Sequence, residues 1–221
     1  MPDSVRVVFA DQINALEQDV LKMASVVEQM LHKSIEALTS QNKELSDQAI
    51  AMDDVVDDYN LSIENDCLRL LALQQPMARD LRTIAATMKI ITDIERMGDY
   101  VVDIAKTAKR LCIRPLSGSY VYIPQMAGLV EQMLREVLEA FVSRDLELIQ
   151  RMIEDDDKVD HLNKTVYREL VEMMKNDPSI IDQVIPLIMI ARYLERLADH
   201  VTNVGERVHY METGEMRELH V

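Results

Sequence analysis

The sequence predicts an all-α fold, built as two tandem, pseudo-symmetric three-helix bundles. Three observations lead there. Apolar residues recur at three- and four-residue spacing nearly throughout the 221 residues, the period of an amphipathic helix. Turn-formers and aromatics are scarce, with five Gly, six Pro and no Trp, while Met, which fills irregular gaps between helices, occurs fifteen times. A long stretch of the first half is also written again in the second.

The elements follow from the breaks in the pattern. A first helix carries FADQINALEQDVLKM and runs to a break at 40–42. A second ends at 74–76, and a third runs through DIERMGDYVVDIAK (93–106). The stretch RPLSGSYVYIP (114–124) has the densest Pro, Gly and Ser content and is the expected link between residues 1–114 and 115–221. A fourth helix ends near 143–145, a fifth at NDPS (176–179), and a sixth continues to METGE. Most are expected to be roughly thirty residues long by this periodicity. Asp177 can cap a helix that opens with Pro178, and Pro76 is expected to open another in the same way.

The halves align without a gap. The segment starting VEQMLHKSIEALTS at Val27 matches VEQMLREVLEAFVS at Val130. Ser40/Ser143, Asp53/Asp156, Asp57/Asp160 and Asn60/Asn163 coincide. After a short adjustment, Glu95, Arg96 and Asp99 fall over Glu195, Arg196 and Asp199. This is a duplicated unit. Short loops make its three helices antiparallel neighbours in a bundle.

Charge narrows the function. Asp plus Glu number 39 against 24 Lys plus Arg, a formal net charge of −15. Nucleic-acid binding depends on cationic neutralisation of phosphates, so it is not expected, and an anionic membrane surface would repel the chain. Cationic partners or metal ions suit it. Cys67 and Cys112 form no CxxC and read as two reduced thiols. The N-terminus has no basic region followed by an apolar stretch, and the longest apolar run, VIPLIMIA (184–191), is too short to span a bilayer. A soluble cytoplasmic protein is expected.

The acids have a pattern. On a helical wheel Ile91, Ile94, Gly98, Val101, Val102 and Ala105 fill one arc, and Glu95, Asp99 and Asp103 lie beside it. In the preceding helix Asp53 and Asp57 flank an arc of Ala49, Met52, Val56, Ile63, Cys67 and Leu70. Asp156/Asp160 and Glu195/Asp199 repeat the arrangement. Like charges at four-residue steps repel by roughly 0.2–0.5 kcal/mol per pair. A single acidic row is usually a solvated face, and Arg96, Arg196 and Lys106 could simply pair with these acids. Four rows at matched positions point instead to a cation held between facing helices, because hard cations take carboxylate oxygens. Asn60 and Asn163 are expected to hydrogen-bond between helices. His32, His161, His200, His209 and His220 read as surface residues; only His200 adjoins a site motif, and it points away from Asp199.

The same residues carry a family resemblance. LLALQQPMARDLR followed by DIERMGDYVVDIAK, and later ARYLERLADHVTNVGE with YMETGE, resemble the PhoU family of phosphate-signalling regulators across nearly the whole chain. The resemblance implies a cytoplasmic negative regulator of phosphate uptake and of the phosphate-starvation response. It implies an adaptor between the ATPase subunit of the phosphate ABC transporter and a membrane sensor histidine kinase, and a homodimer. It also implies divalent or trivalent metal ions, singly or in multinuclear clusters (iron, zinc, manganese or magnesium), on Asp53, Asp57, Glu95, Asp99, Asp103, Asp156, Asp160, Glu195 and Asp199. Asn203 stands where the first repeat has Asp103, so the second site is expected to be weaker. Asp93 is matched by Tyr193 and is read as outside any shared site.

Other readings stay open. A carboxylate-bridged metalloenzyme, a di-iron oxidase or metal-dependent phosphohydrolase, would use the same acids. Against it, Glu-x-x-His occurs once, at Glu206–His209, where ferritin-like sites need two. A plain helical scaffold with solvated acidic faces is the third reading. No Walker lysine loop, HExxH or EF-hand pattern is present, and no Gly-rich loop is placed to cradle phosphate. A non-enzymatic adaptor is therefore expected.

Overall fold

The computed structural model describes residues 3–112 and 121–219. It is helical, with no strand among the described residues. The helices are α1 (Asp3–Ser40), α2 (Lys43–Ala51), α3 (Asp53–Gln74), α4 (Arg79–Leu111), α5 (Tyr122–Ser143), α6 (Leu146–Asn176) and α7 (Ile181–Thr213). A 3₁₀ turn, Pro178–Ile180, leads into α7. α2 and α3 are the expected second helix, interrupted at Met52, where the backbone bonds tighten to the Ala49 carbonyl at 3.2 Å. Asp53 and Asp54 then open α3, where the helix dipole favours acids.

The repeats turn their first corner alike. Ser40 and Ser143 each donate to the carbonyl four residues back, Glu36 at 2.6 Å and Glu139 at 2.8 Å. Gln41 (φ 57°) and Arg144 (φ 62°) follow in the left-handed region. Asn42 then accepts from the Glu44 N–H at 3.0 Å, and Asp145 from the Glu147 N–H at 2.9 Å, as N-caps. Asp177 caps as expected, accepting from the Ser179 N–H at 3.0 Å ahead of Pro178.

Two expectations are corrected. Pro76 does not open a helix: α4 starts at Arg79, behind Ala78 at φ 50°, ψ −114°. Contacts across the molecule set that start, because Arg79 binds Glu212 at 2.6 Å and Arg82 reaches the Met211 carbonyl at 3.5 Å. The expected link at 114–124 is shorter on its C-terminal side, since Tyr122, Ile123 and Pro124 already belong to α5, burying Ile123 in the core. Residues 114–120 of that link, and the 114/115 boundary with them, lie outside the described residues.

α4 and α7 run antiparallel along the seam between repeats. Arg79 meets Glu212 at one end, and further along the Tyr100 and Tyr193 rings lie 6.1 Å apart. α1 and α5 make a second antiparallel contact, in which Arg135 binds Glu28 at 2.7 Å and His32 faces Glu131 at 3.8 Å. Glu28/Glu131 and His32/Arg135 are repeat mates, so a pseudo-twofold axis passes between these pairs. One buried cluster joins both repeats, with Met23, Met30, Met97 and Met126 among its largest side chains. The predicted arcs are inside: Val56, Ile63, Cys67 and Leu70 on α3, and Ile91, Ile94, Gly98, Val101, Val102 and Ala105 on α4. Cys67 and Cys112 are unpaired, and burial pushes the Cys67 thiol up to about 12.

Candidate metal-binding site

Val56 and Ile63 fix which face of α3 is buried, and so leave Asp53 half-buried and Asp57 exposed beside it. Ile94, Gly98 and Val102 do the same for Glu95, Asp99 and Asp103 on α4. Gly98 sets the approach of the two helices. A Cβ there would lie 3.4 Å from both Asp53 Oδ1 and Val56 Cγ1. The glycine lets the Asp53 side chain of α3 lie against the face of α4. A cleft of about 290 Å³ opens beside it, lined by Asp53, Arg96, Asp99, Tyr100, Val102, Asp103 and Lys106.

The acids feel one another. Burial raises the Asp53 carboxyl above its ordinary value; Asp57 and Asp99 raise it further, and Lys106 opposes. Burial also raises Glu95, with Asp99 adding, Arg96 opposing, and Asp57 and Asp53 adding again. In the second repeat, burial and then Asp199 raise Glu195, against Arg192 and Arg196, and Asp160 adds to the rise. Asp156 is half-buried on α6.

Cations of the chain itself also reach these acids. Arg96 binds Asp99 at 2.8 Å and lies 3.5 Å from Glu95. Arg196 lies 3.5 Å from Asp199, Lys164 lies 3.4 Å from Asp160, and Arg192 is bonded to Glu195. Among the described residues, no three His, Cys, Asp or Glu are gathered closely enough to hold an ion as the side chains stand. The donor set nevertheless suits a cation. It is entirely carboxylate, and Glu195 Oε2 is buried with no hydrogen-bond partner, with Arg196 Nε 4.0 Å away.

Several residues are placed differently from expectation. His200 is not a surface side chain; it is 21% exposed, with Nδ1 2.8 Å from Asp93 in the α4–α7 seam. Asn203 donates to the same Asp93 oxygen at 3.2 Å. It therefore turns toward the other repeat instead of standing in for Asp103. The repeats differ where they face each other: the mates of Asp93, His200 and Asn203 are Tyr193, Tyr100 and Asp103 on the other side of the axis. Antiparallel crossing buries these positions, and the mismatches between repeats were the available signal. Asn60 and Asn163 are half-buried, and neither side chain has a hydrogen bond among the described residues. Glu206 accepts the Leu219 N–H at 2.9 Å and His209 lies 3.3 Å from the Thr213 hydroxyl, so the lone Glu-x-x-His serves the C-terminal turn. Sequence reasoning also missed Asp155, buried and bound by Lys158 at 2.6 Å.

The chain is matched twice by the family described as PhoU domain, over residues 20–108 and 123–208. A phosphate-specific transport system accessory protein PhoU homolog of Clostridium acetobutylicum is 38% identical over 97% of this chain and 98% of its own. One of Pseudomonas aeruginosa is 35% identical over 96% of this chain and 90% of its own. Among solved structures, PhoU from Pseudomonas aeruginosa superposes with a TM-score of 0.90 at 34% identity, covering 94% of this chain and all of that one. The phosphate transport system regulatory protein PhoU from Streptococcus pneumoniae gives 0.88 at 32% identity, over 95% and 99%. Since both repeats are matched separately and the whole bundle superposes, the chain belongs to the PhoU family.

Proposed function

We propose that this chain is an accessory regulator of phosphate transport that restrains uptake and the starvation response when phosphate is plentiful. The observation that carries this is the double family match, with full-length relatives named as accessory proteins of phosphate-specific transport. The chain works as a non-enzymatic cytoplasmic adaptor, as a homodimer, between the ATPase subunit of the phosphate ABC transporter and a sensor histidine kinase. The lack, among the described residues, of a helix long and apolar enough to cross a membrane agrees with this reading. So does the strongly acidic balance, which suits cationic docking surfaces.

Metal binding is part of the proposal. Asp53, Asp57, Glu95, Asp99 and Asp103 would hold a cation in the first repeat, and Asp156, Asp160, Glu195 and Asp199 in the second. The ion supplies positive charge that removes the repulsion between α3 and α4 and between α6 and α7, stiffening each bundle. A micromolar site contributes about 8 kcal/mol, well above the repulsion it relieves.

The test is genetic. Cells lacking the protein are expected to express phosphate-starvation genes in high phosphate. Normal repression in those cells contradicts the regulatory reading.

A further inference from the structure

Along α7 from 181 to 196 the exposed positions are Ile181, Asp182, Ile185, Met189, Arg192 and Arg196. On a helical wheel all six fall within an arc of about 100°, so they form a single ridge. Its middle is apolar: Ile181, Ile185 and Met189 follow at four-residue steps and are 40%, 49% and 41% exposed. Its N-terminal end carries Asp182, whose carboxylate has no ion pair among the described residues. Its C-terminal end carries Arg192 and Arg196, which reach Glu195 and Asp199 of their own helix and remain exposed. The first repeat has no such ridge. The matching exposed positions of α4 are Leu81, Ala85, Lys89, Thr92 and Arg96, and Arg82, in the place of Asp182, turns to the Met211 carbonyl.

We infer that this ridge of α7 is the face on which a second copy of the chain docks, the two α7 helices lying antiparallel about a twofold axis at the height of Leu187. The order of charges along the ridge points to that occupant. About such an axis Ile185 of each copy packs on Met189 of the other, and Asp182 of each faces Arg192 of the other, so the contact is isologous and every pair is made twice. A basic partner would satisfy Asp182 and meet two arginines, and an acidic partner would do the reverse. A second copy satisfies both ends at once. Two chains of net charge −15 repel over most of their surfaces, so they meet most readily where cations and apolar groups interrupt the acidic field. The α4 ridge carries Lys89 and Arg96 and no acid, so it does not pair with itself. The α7 ridge spans about four turns, at the small end of specific interfaces, so the dimer is weak and depends on concentration. This inference rests on the homodimer reading proposed above and gives it a face, an axis and its contacts.

Charge exchange across the axis tests it. Sedimentation velocity over a concentration series reads association in wild type, D182R, R192E and I185E, with circular dichroism melts to show that each variant folds. Wild type is expected to dimerise at the upper concentrations, and each variant to weaken association by about tenfold or more. D182R or R192E pairing with itself sets like charges across the axis, whereas one copy of each restores both ion pairs. An equimolar mixture of the two is therefore expected to regain the wild-type dimer. Asp182 and Ile185 are exposed, and Asp182 has no ion pair within the fold, so D182R and I185E read the face even where R192E, which loses its bond to Glu195, is unstable. A dimer unchanged in D182R and I185E, or a mixture of folded D182R and R192E that stays monomeric, overturns the inference while leaving a homodimer through another face. Wild type that stays monomeric at every concentration overturns the homodimer reading itself, and this inference with it.

Discussion

At the scale of single residues, Glu95 and Glu195 show how repeat mates come to differ. Both carboxyls are raised by burial first and by a neighbouring aspartate next, but Glu195 has two arginines opposing the rise. A carboxyl with a raised folded pKa binds its proton more tightly in the native state than in the unfolded one. Stability then falls as pH rises from the ordinary 4.5 through the higher folded value. Glu95→Gln is therefore expected to stabilise chelator-treated protein at pH 7 by roughly 0.5 kcal/mol, the scale of a relieved like-charge pair, with the gain vanishing below that window. Glu195→Gln is expected to give no gain, because it leaves Arg192 without its partner. Urea unfolding at several pH values checks both. The acid rows were legible because a fixed four-residue step puts carboxylates in line whatever surrounds them. The partners of those acids were less so. Arg96 and Arg196 sit within the motif and were foreseen, but the Arg192–Glu195 bond depends on a rotamer, and the Asp93–His200 contact joins residues more than a hundred positions apart.

At the scale of elements, Gly98 sets how closely α4 approaches α3. The space a methyl would enter ends at contacts of 3.4 Å, and the second repeat already carries Ala198 there. Gly98→Ala is expected to raise stability by about 0.5–1 kcal/mol through helix propensity, read in a thermal melt. Gly98→Leu is expected to push α3 away and lower stability by about 1–3 kcal/mol through overpacking. Helix number and buried faces could be read from sequence because periodicity and caps are local properties. Asn42, Asp145 and Asp177 each accept the backbone N–H their position predicts. The left-handed turns at Gln41, Gln75, Ala78 and Arg144 could not be, since none is a glycine or asparagine. Tertiary anchoring holds at least one end of this kind: Arg79 and Arg82, bound to the far end of α7, place the start of α4 three residues beyond Pro76.

At the scale of the whole molecule, the repeats are joined by helices that cross antiparallel and by a few cross-repeat ion pairs. The most buried of these is Arg144 with Glu17, at 17% and 12% exposure, with the guanidinium stacked 5.3 Å above the Phe141 ring centroid. Arg144→Ala strands the Glu17 carboxyl and removes the stacked guanidinium. It is expected to cost about 3 kcal/mol in urea unfolding. Duplication was visible in the sequence, but the seam was not, because residues that face each other across a pseudo-twofold axis need to be complementary, not alike. That leaves the repeats free to diverge in charge. The most direct test is anomalous diffraction from crystals of the protein supplied with manganese(II). The account predicts a peak in the cleft between α3 and α4, beside Asp53 and Asp99. No peak there, with Asp99 still paired to Arg96, would contradict it.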